Sequence, residues 1–127
     1  MMRALLIRQP FVDMILEGKK TWEIRGSRTS IRGTIGLIPS ASGGKVVGVC
    51  DVVTYIGPLS QAVFRRNASK AGMKPREAEL GYYRNTYAWV LKNPRRLRKP
   101  VPYKHPSGAV IWVKLDATVE RAIIKQI

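Results

Sequence analysis

Along these 127 residues the apolar positions recur with two different periods, and the switches between them mark the elements. Ala4-Leu5-Leu6-Ile7 is a continuous apolar run that predicts a short buried strand. Pro10 then opens a helix, where its missing N–H costs little, and Phe11, Met14 and Ile15 mark the buried face. Gly18 closes that helix, since glycine tolerates the left-handed backbone of a C-cap. From there the period becomes two. Thr21, Glu23 and Arg25 share one strand face, and Trp22 and Ile24 share the other.

The same reading carries along the chain. Residues 26 to 32 form a polar, basic loop, and a strand follows from Gly33 through Ile35, Leu37 and Ile38. Pro39 to Gly44 has the composition of a turn. Lys45 to Tyr55 is a long β-branched strand with Gly48 as a bulge or bend, ended by Gly57-Pro58. Gln61 to Lys70 predicts one helix, capped by Ser60 or a neighbour, and Pro75 to Tyr82 a second. Tyr87 to Leu91 reads as a strand, Asn93-Pro94 as a turn, and Arg95 to Lys104 as an extended basic segment. A turn at Ser107-Gly108 leads into a strand from Ala109 to Leu115. Val119, Ile123 and Ile127 lie four apart and predict a tail helix packed on one side. Five or six short strands and a few short helices make a single α+β domain over residues 1–127. A twisted, mostly antiparallel barrel is the economical way to remove sheet edges at this size.

Charge changes the picture most. Lys and Arg number 23 against 8 acids, a formal charge of +15. Such an excess favours a polyanionic partner, nucleic acid before a membrane surface. Six cations, Lys92, Arg95, Arg96, Arg98, Lys99 and Lys104, fall in an acid-free run of thirteen residues. Arg65, Arg66, Lys70, Lys74 and Arg76 form a second group, and Arg28 and Arg32 a third. Tyr82, Tyr83, Tyr87 and Tyr103 lie among them, and arginine with tyrosine can neutralise phosphates and stack on unpaired bases. Cys50 is the only cysteine and His105 the only histidine, so no multi-cysteine zinc site, histidine-based metal site or internal disulfide is expected. No cofactor is implied. The first apolar run is cut short by Arg8 and Pro10, and no segment has the length of a membrane span, which predicts a cytoplasmic protein that does not engage a membrane.

The candidate chemistry concentrates in Gly18-Lys19-Lys20-Thr21-Trp22-Glu23-Ile24-Arg25. An apolar face anchored by Trp22 would enter a core and leave a hydroxyl, a carboxylate and a guanidinium opposite, with an ammonium at the entrance. That pattern builds either a small polar pocket or an exposed Glu–Arg pair on an edge strand. Lys20 acts as a base or nucleophile only when neutral. Burial and Arg25 favour the neutral form, and Glu23 favours the ammonium. A charged cleft that binds an anion or a base edge needs fewer conditions than catalysis.

The chain resembles the ASCH domain (activating signal cointegrator homology), a branch of the PUA-like superfamily. The opening Ala4 to Phe11 resembles that family's first strand and helix entry. Gly18 to Arg25 matches its G-x-K-x-x-E-x-R motif, and Tyr87 to Leu91 and Ile111-Trp112-Val113 resemble its late strands. The resemblance implies a small β-barrel with helices at its rim and a cleft lined by Lys20, Thr21, Glu23 and Arg25, to which Tyr87 is added. It implies RNA as partner in preference to DNA, and the charge pattern offers Arg28, Arg32, Arg65, Arg66 and the run from Lys92 to Lys104 as its contacts. It also implies an alternative, a ribonuclease or a hydrolase of N4-acetylcytidine. In that reading Lys20 is the catalytic lysine, and Glu77 or Glu79, with Glu79 preferred, supplies a later carboxylate. Glu23 stands where those hydrolases carry a threonine.

Overall fold

The computed structural model describes residues 1–41 and 44–127, so Ser42 and Gly43 of the expected turn lie outside the described residues. Among the described residues there are six strands, β1 (Arg3–Ile7), β2 (Trp22–Arg25), β3 (Gly33–Pro39), β4 (Lys45–Ile56), β5 (Tyr87–Pro102) and β6 (Trp112–Lys114), with helices α1 (Phe11–Leu16), α2 (Gln61–Arg66) and α3 (Ala117–Ile124). They form one sheet in the order β2-β5-β4-β3-β1-β6. The β1–β3 pair is parallel and the other four neighbours are antiparallel.

The apolar run of β1 is continuous because both of its faces are buried. Ala4 and Leu6 enter a core with Val46, Leu97 and Ile123 of α3, while Leu5 and Ile7 enter another with Ile15 of α1, Cys50 and Trp89. A third core joins Trp22 and Ala88 to Phe64, Ala68 and Ala71 of the helical middle. The sheet curls. Trp89 of β5 stacks on Trp112 of β6, with ring centroids 5.7 Å apart and planes at 13°, although three strands separate them in the sheet order. On the other side Arg25 of β2 donates from Nη2 to the Leu6 carbonyl of β1 at 3.0 Å. A side chain therefore spans the gap that a backbone ladder would close in a full barrel, and the expected barrel is a half-barrel.

Four elements differ from the sequence expectation, each for a local reason. β5 does not turn at Asn93-Pro94. Val49 pairs with Arg95 and Asp51 with Lys92, so Cys50 alone faces two residues, and the proline falls in a bulge where no ladder donor is needed. Asn93 takes the positive φ of 52° there. The helix from Gln61 ends at Arg66 and continues as a separate 3-10 turn, Ala68–Ala71, stopped by Gly72 at φ 72°. The Ser60 cap is present, with Oγ accepting from Val63 N. Of the helix expected from Pro75 to Tyr82 only a 3-10 turn at Pro75–Glu77 forms. Gln61 takes the backbone groups that a helix would have paired, donating to Ala78 O at 2.6 Å and accepting from Leu80 N at 2.9 Å. The last strand begins at Trp112, since Ala109 is held in a loop by its N–H to Pro106 O and by His105 Nε2 on its carbonyl.

Candidate functional site

Gly18 reverses the chain at φ 79°, and the amides of Lys19 and Lys20 both return to Met14 O. This tight closure turns Lys20 inward. Its Nζ donates to the carbonyls of Trp22 and Ala71 at 2.7 Å each and lies 3.4 Å from Glu23 Oε1. It also sits 4.8 Å from the centre of the Phe11 ring. Three acceptors surround one amine, the number an ammonium satisfies and a neutral amine does not. Burial lowers the Lys20 pKa from its ordinary value, Glu23 opposes the shift by charge and hydrogen bond, and Arg25 adds to it.

Glu23 and Arg25 lie on the concave face of β2, in register with Trp89 and Tyr87 of β5, while Trp22 and Ile24 pack on the helical middle. Glu23 Oε2 accepts from Arg25 Nε at 2.9 Å and Nη2 at 2.8 Å. That two-point clamp fixes the guanidinium, which also stands 5.7 Å over the Trp89 ring. The side chains of Lys20 and Glu23 are only 2% and 9% exposed and that of Arg25 is 17% exposed, so a half-buried guanidinium borders a buried ion pair.

The cluster forms the floor of a cavity of about 470 Å³. Arg8 and Phe11, just beyond β1, form one wall, with the Arg8 guanidinium 5.4 Å over the Phe11 ring. The helical middle adds Phe64, Met73, Glu77 and Glu79 to the lining. Tyr82 and Tyr83 stand at the mouth, edge to face at 4.8 Å, and Tyr82 is 88% exposed. Tyr83 packs against the Gly26 backbone so closely that a Cβ there would lie 2.5 Å from its ring. Burial raises the Tyr83 pKa, and the charges of Arg25, Glu23 and Arg8 all reach its phenol.

Both later carboxylates line this cavity. Glu77 accepts from Lys74 N at 2.7 Å, and Glu79 pairs with Arg65 Nη2 at 2.5 Å. Two residues expected in the cleft lie elsewhere. Thr21 precedes the first residue of β2, so strand alternation does not extend to it, and its exposed side chain borders a different depression. Tyr87 belongs to the half-barrel core, edge-on to Tyr55 at 6.0 Å and beneath the Arg28 guanidinium. Arg8, Phe11 and the Tyr82–Tyr83 pair were missed as cavity residues. The only signal for the pair was two adjacent aromatics after Gly81 in a polar stretch.

The expected phosphate-contacting cations divide by partner. Arg95 pairs with Asp51 of β4 at 3.3 Å, Arg96 with Asp13 of α1 at 3.1 Å, and Arg65 with Glu79. Arg32 donates to the carbonyls of Thr29 and Ile31. Arg66, Lys92, Arg98, Lys99 and Lys104 are exposed. Cys50 is buried, and burial with the neighbouring Asp51 charge pushes its thiol up to about 12, leaving it inert as a nucleophile. Among the described residues no group of three or more His, Cys, Asp or Glu side chains is set to hold a metal ion, and no helix is long and apolar enough to cross a membrane.

The curled six-stranded sheet thus carries a Lys–Glu–Arg cluster beside its open edge. The family model for the ASCH domain matches residues 5–101, and the chain belongs to that family. Among solved structures it is similar to the crystal structure of ASCH from Zymomonas mobilis, with 14% identity and a TM-score of 0.74 over 97% of this chain and 93% of that one. Two variant crystal structures of the Zymomonas mobilis protein align at 15% and 16% identity, each with a TM-score of 0.71. They cover 97% of this chain and 94% and 96% of theirs. At these identities the likeness is one of fold. A search among curated proteins found no match.

Proposed function

We propose that this protein binds single-stranded RNA and receives the base of one unpaired nucleotide in the cavity above Lys20, Glu23 and Arg25. One observation carries the reading. Three of the chain's 8 acids, Glu23, Glu77 and Glu79, line this single cavity in a protein of net charge +15. A pocket built for phosphate alone would exclude carboxylates. Glu23 is held by Lys20 and Arg25. Glu77 and Glu79 meet Lys74 N and Arg65 through Oε1, and their Oε2 atoms suit N–H donors such as a nucleobase edge carries. Arg8 in the same cavity suits a carbonyl or phosphate. The exposed Tyr82 offers a stacking face at the mouth. The preference for RNA over DNA rests on the family resemblance, and the cations around the cavity would supply the affinity.

The test is fluorescence anisotropy with a labelled single-stranded RNA over a salt series. If about five phosphates are contacted, log K against log salt has a slope of roughly −3.5. Absence of binding at low salt, or binding indifferent to salt, overturns the proposal. A second reading, hydrolysis of RNA or of N4-acetylcytidine, draws on the presence of Glu77 and Glu79 in the same cavity as a lysine of lowered pKa. The three acceptors around Nζ favour binding, because a nucleophilic lysine needs a free lone pair. Turnover of either substrate that is lost in Lys20→Ala would reverse this order.

A further inference from the structure

Three arginines stand over three aromatic rings in a row that starts at the cavity floor. Trp89 and Tyr87 alternate along β5, and Tyr55 of β4 lies in register with Trp89, so the three rings share one face of the sheet. Arg25 lies 5.7 Å over Trp89, Arg28 6.0 Å over Tyr87 and Arg32 5.9 Å over Tyr55. The first guanidinium is committed to Glu23 and the Leu6 carbonyl. The other two are exposed, on the loop 26–32 that leaves the cavity mouth where Tyr83 meets Gly26.

The loop is held in shape without any ligand. Trp89 Nε1 donates to Ser27 O at 2.8 Å, and the buried Thr29 accepts from Ile31 N through Oγ1 at 3.1 Å. Arg32 Nη1 donates to the carbonyls of Thr29 and Ile31 at 2.8 Å each, which uses both of its hydrogens. Its Nε and Nη2 make no hydrogen bond among the described residues, and they form the edge with which an arginine grips a phosphate at two points. Arg28 has neither an ion pair nor a hydrogen bond among the described residues. The chain has no acid between Glu23 and Asp51, and Asp51 is taken by Thr34, Asn93 and Arg95. Stacking on tyrosine holds each guanidinium plane, so little freedom is lost when an anion docks.

We propose that loop 26–32 is the phosphate track of the RNA site. A strand whose base occupies the cavity leaves past Tyr83 and lays its flanking phosphates on Arg28 and then on the Nε–Nη2 edge of Arg32. The inference rests on the RNA-binding reading above and gives the strand a direction across the surface. An acidic peptide would also meet the two guanidinia, but continuity with the cavity favours a nucleotide chain.

Fluorescence anisotropy of the full chain with a labelled oligoadenylate tests it. Arg28→Ala, which breaks no internal hydrogen bond, should weaken binding about tenfold and lower the salt slope by about 0.7. Arg32→Lys keeps the charge and removes the two-point edge, so the slope should stay while binding weakens several-fold. Ser30→Glu, at an exposed position between the two arginines, should weaken binding as well. Adenosine, which carries no phosphate, should shift the Glu23 and Tyr83 amides alike in the wild-type and Ser30→Glu proteins. If all three variants bind the oligoadenylate as the wild type does, the track is wrong and the cavity reading survives. Displacement of the oligoadenylate by polyglutamate as readily as by unlabelled oligoadenylate would make the loop a peptide surface and overturn the proposal. If the wild-type protein does not bind the oligoadenylate at low salt, the RNA-binding reading itself fails.

Discussion

The cluster at the cavity floor and the basic half of β5 are both built from charge, yet they use it in opposite ways. Lys20 and Glu23 are buried, Arg25 is half-buried, and each side chain is held at two or more points. Their positions are fixed before any ligand arrives, so they can discriminate one edge of a ligand from another. Lys92, Arg98, Lys99 and Lys104 are exposed. Such side chains follow a phosphate backbone at little cost and carry little sequence information. Within the same run Arg95 and Arg96 belong to neither type, since Asp51 and Asp13 already partner them on β4 and α1. Burial converts charge into geometry, and exposure leaves it as long-range attraction.

The largest expected effect lies in the buried cluster. Glu23→Ala would leave two cations facing each other in the half-barrel, and removal of one partner from a buried pair costs about 3–5 kcal/mol. Urea denaturation should show that loss for Glu23→Ala and almost none for Arg98→Ala. Equal midpoints in the two variants would erase the distinction between the regions.

A second test sharpens it through pH. Burial first, and Arg25 next, hold the Lys20 pKa below its ordinary value of 10.5, against the pull of Glu23. Between the lowered value and 10.5 the unfolded chain binds more protons than the folded one, so stability rises with pH across that interval. Lys20→Met should flatten that rise. Denaturation series on both proteins measure it, and a rise that persists in Lys20→Met would assign it to another group.

The smallest effect separates paired from unpaired cations. Arg98→Ala should reduce the salt slope of RNA binding by about 0.7, the share of one phosphate on a single strand. Arg95→Ala and Arg96→Ala should change it less, because binding through either first requires breaking an internal ion pair. A larger change for Arg95 than for Arg98 would mean that RNA displaces Asp51.

Much of the site was legible from residue order. Gly18 as a reversal, the two faces of β2 and the burial of Trp22 follow from periods and from glycine's tolerance of positive φ, which are local properties. The family motif located the charge cluster. Residue order also gave four of the six strands close to their bounds, β1 to β4, along with the Ser60 cap.

Sequence alone could not separate the exposed Thr21 from its buried neighbours, nor Arg95 from Arg98. Those outcomes depend on where distant segments meet. Lys20 finds Ala71, 51 positions away, Arg96 finds Asp13, 83 positions away, and Arg25 finds Leu6 across the open edge of the sheet. A repeating pattern states which face of an element is buried. The curl of the sheet and the docking of the helical middle decide which groups from other elements share that face, and so which charges are neutralised in the fold and which remain for a ligand.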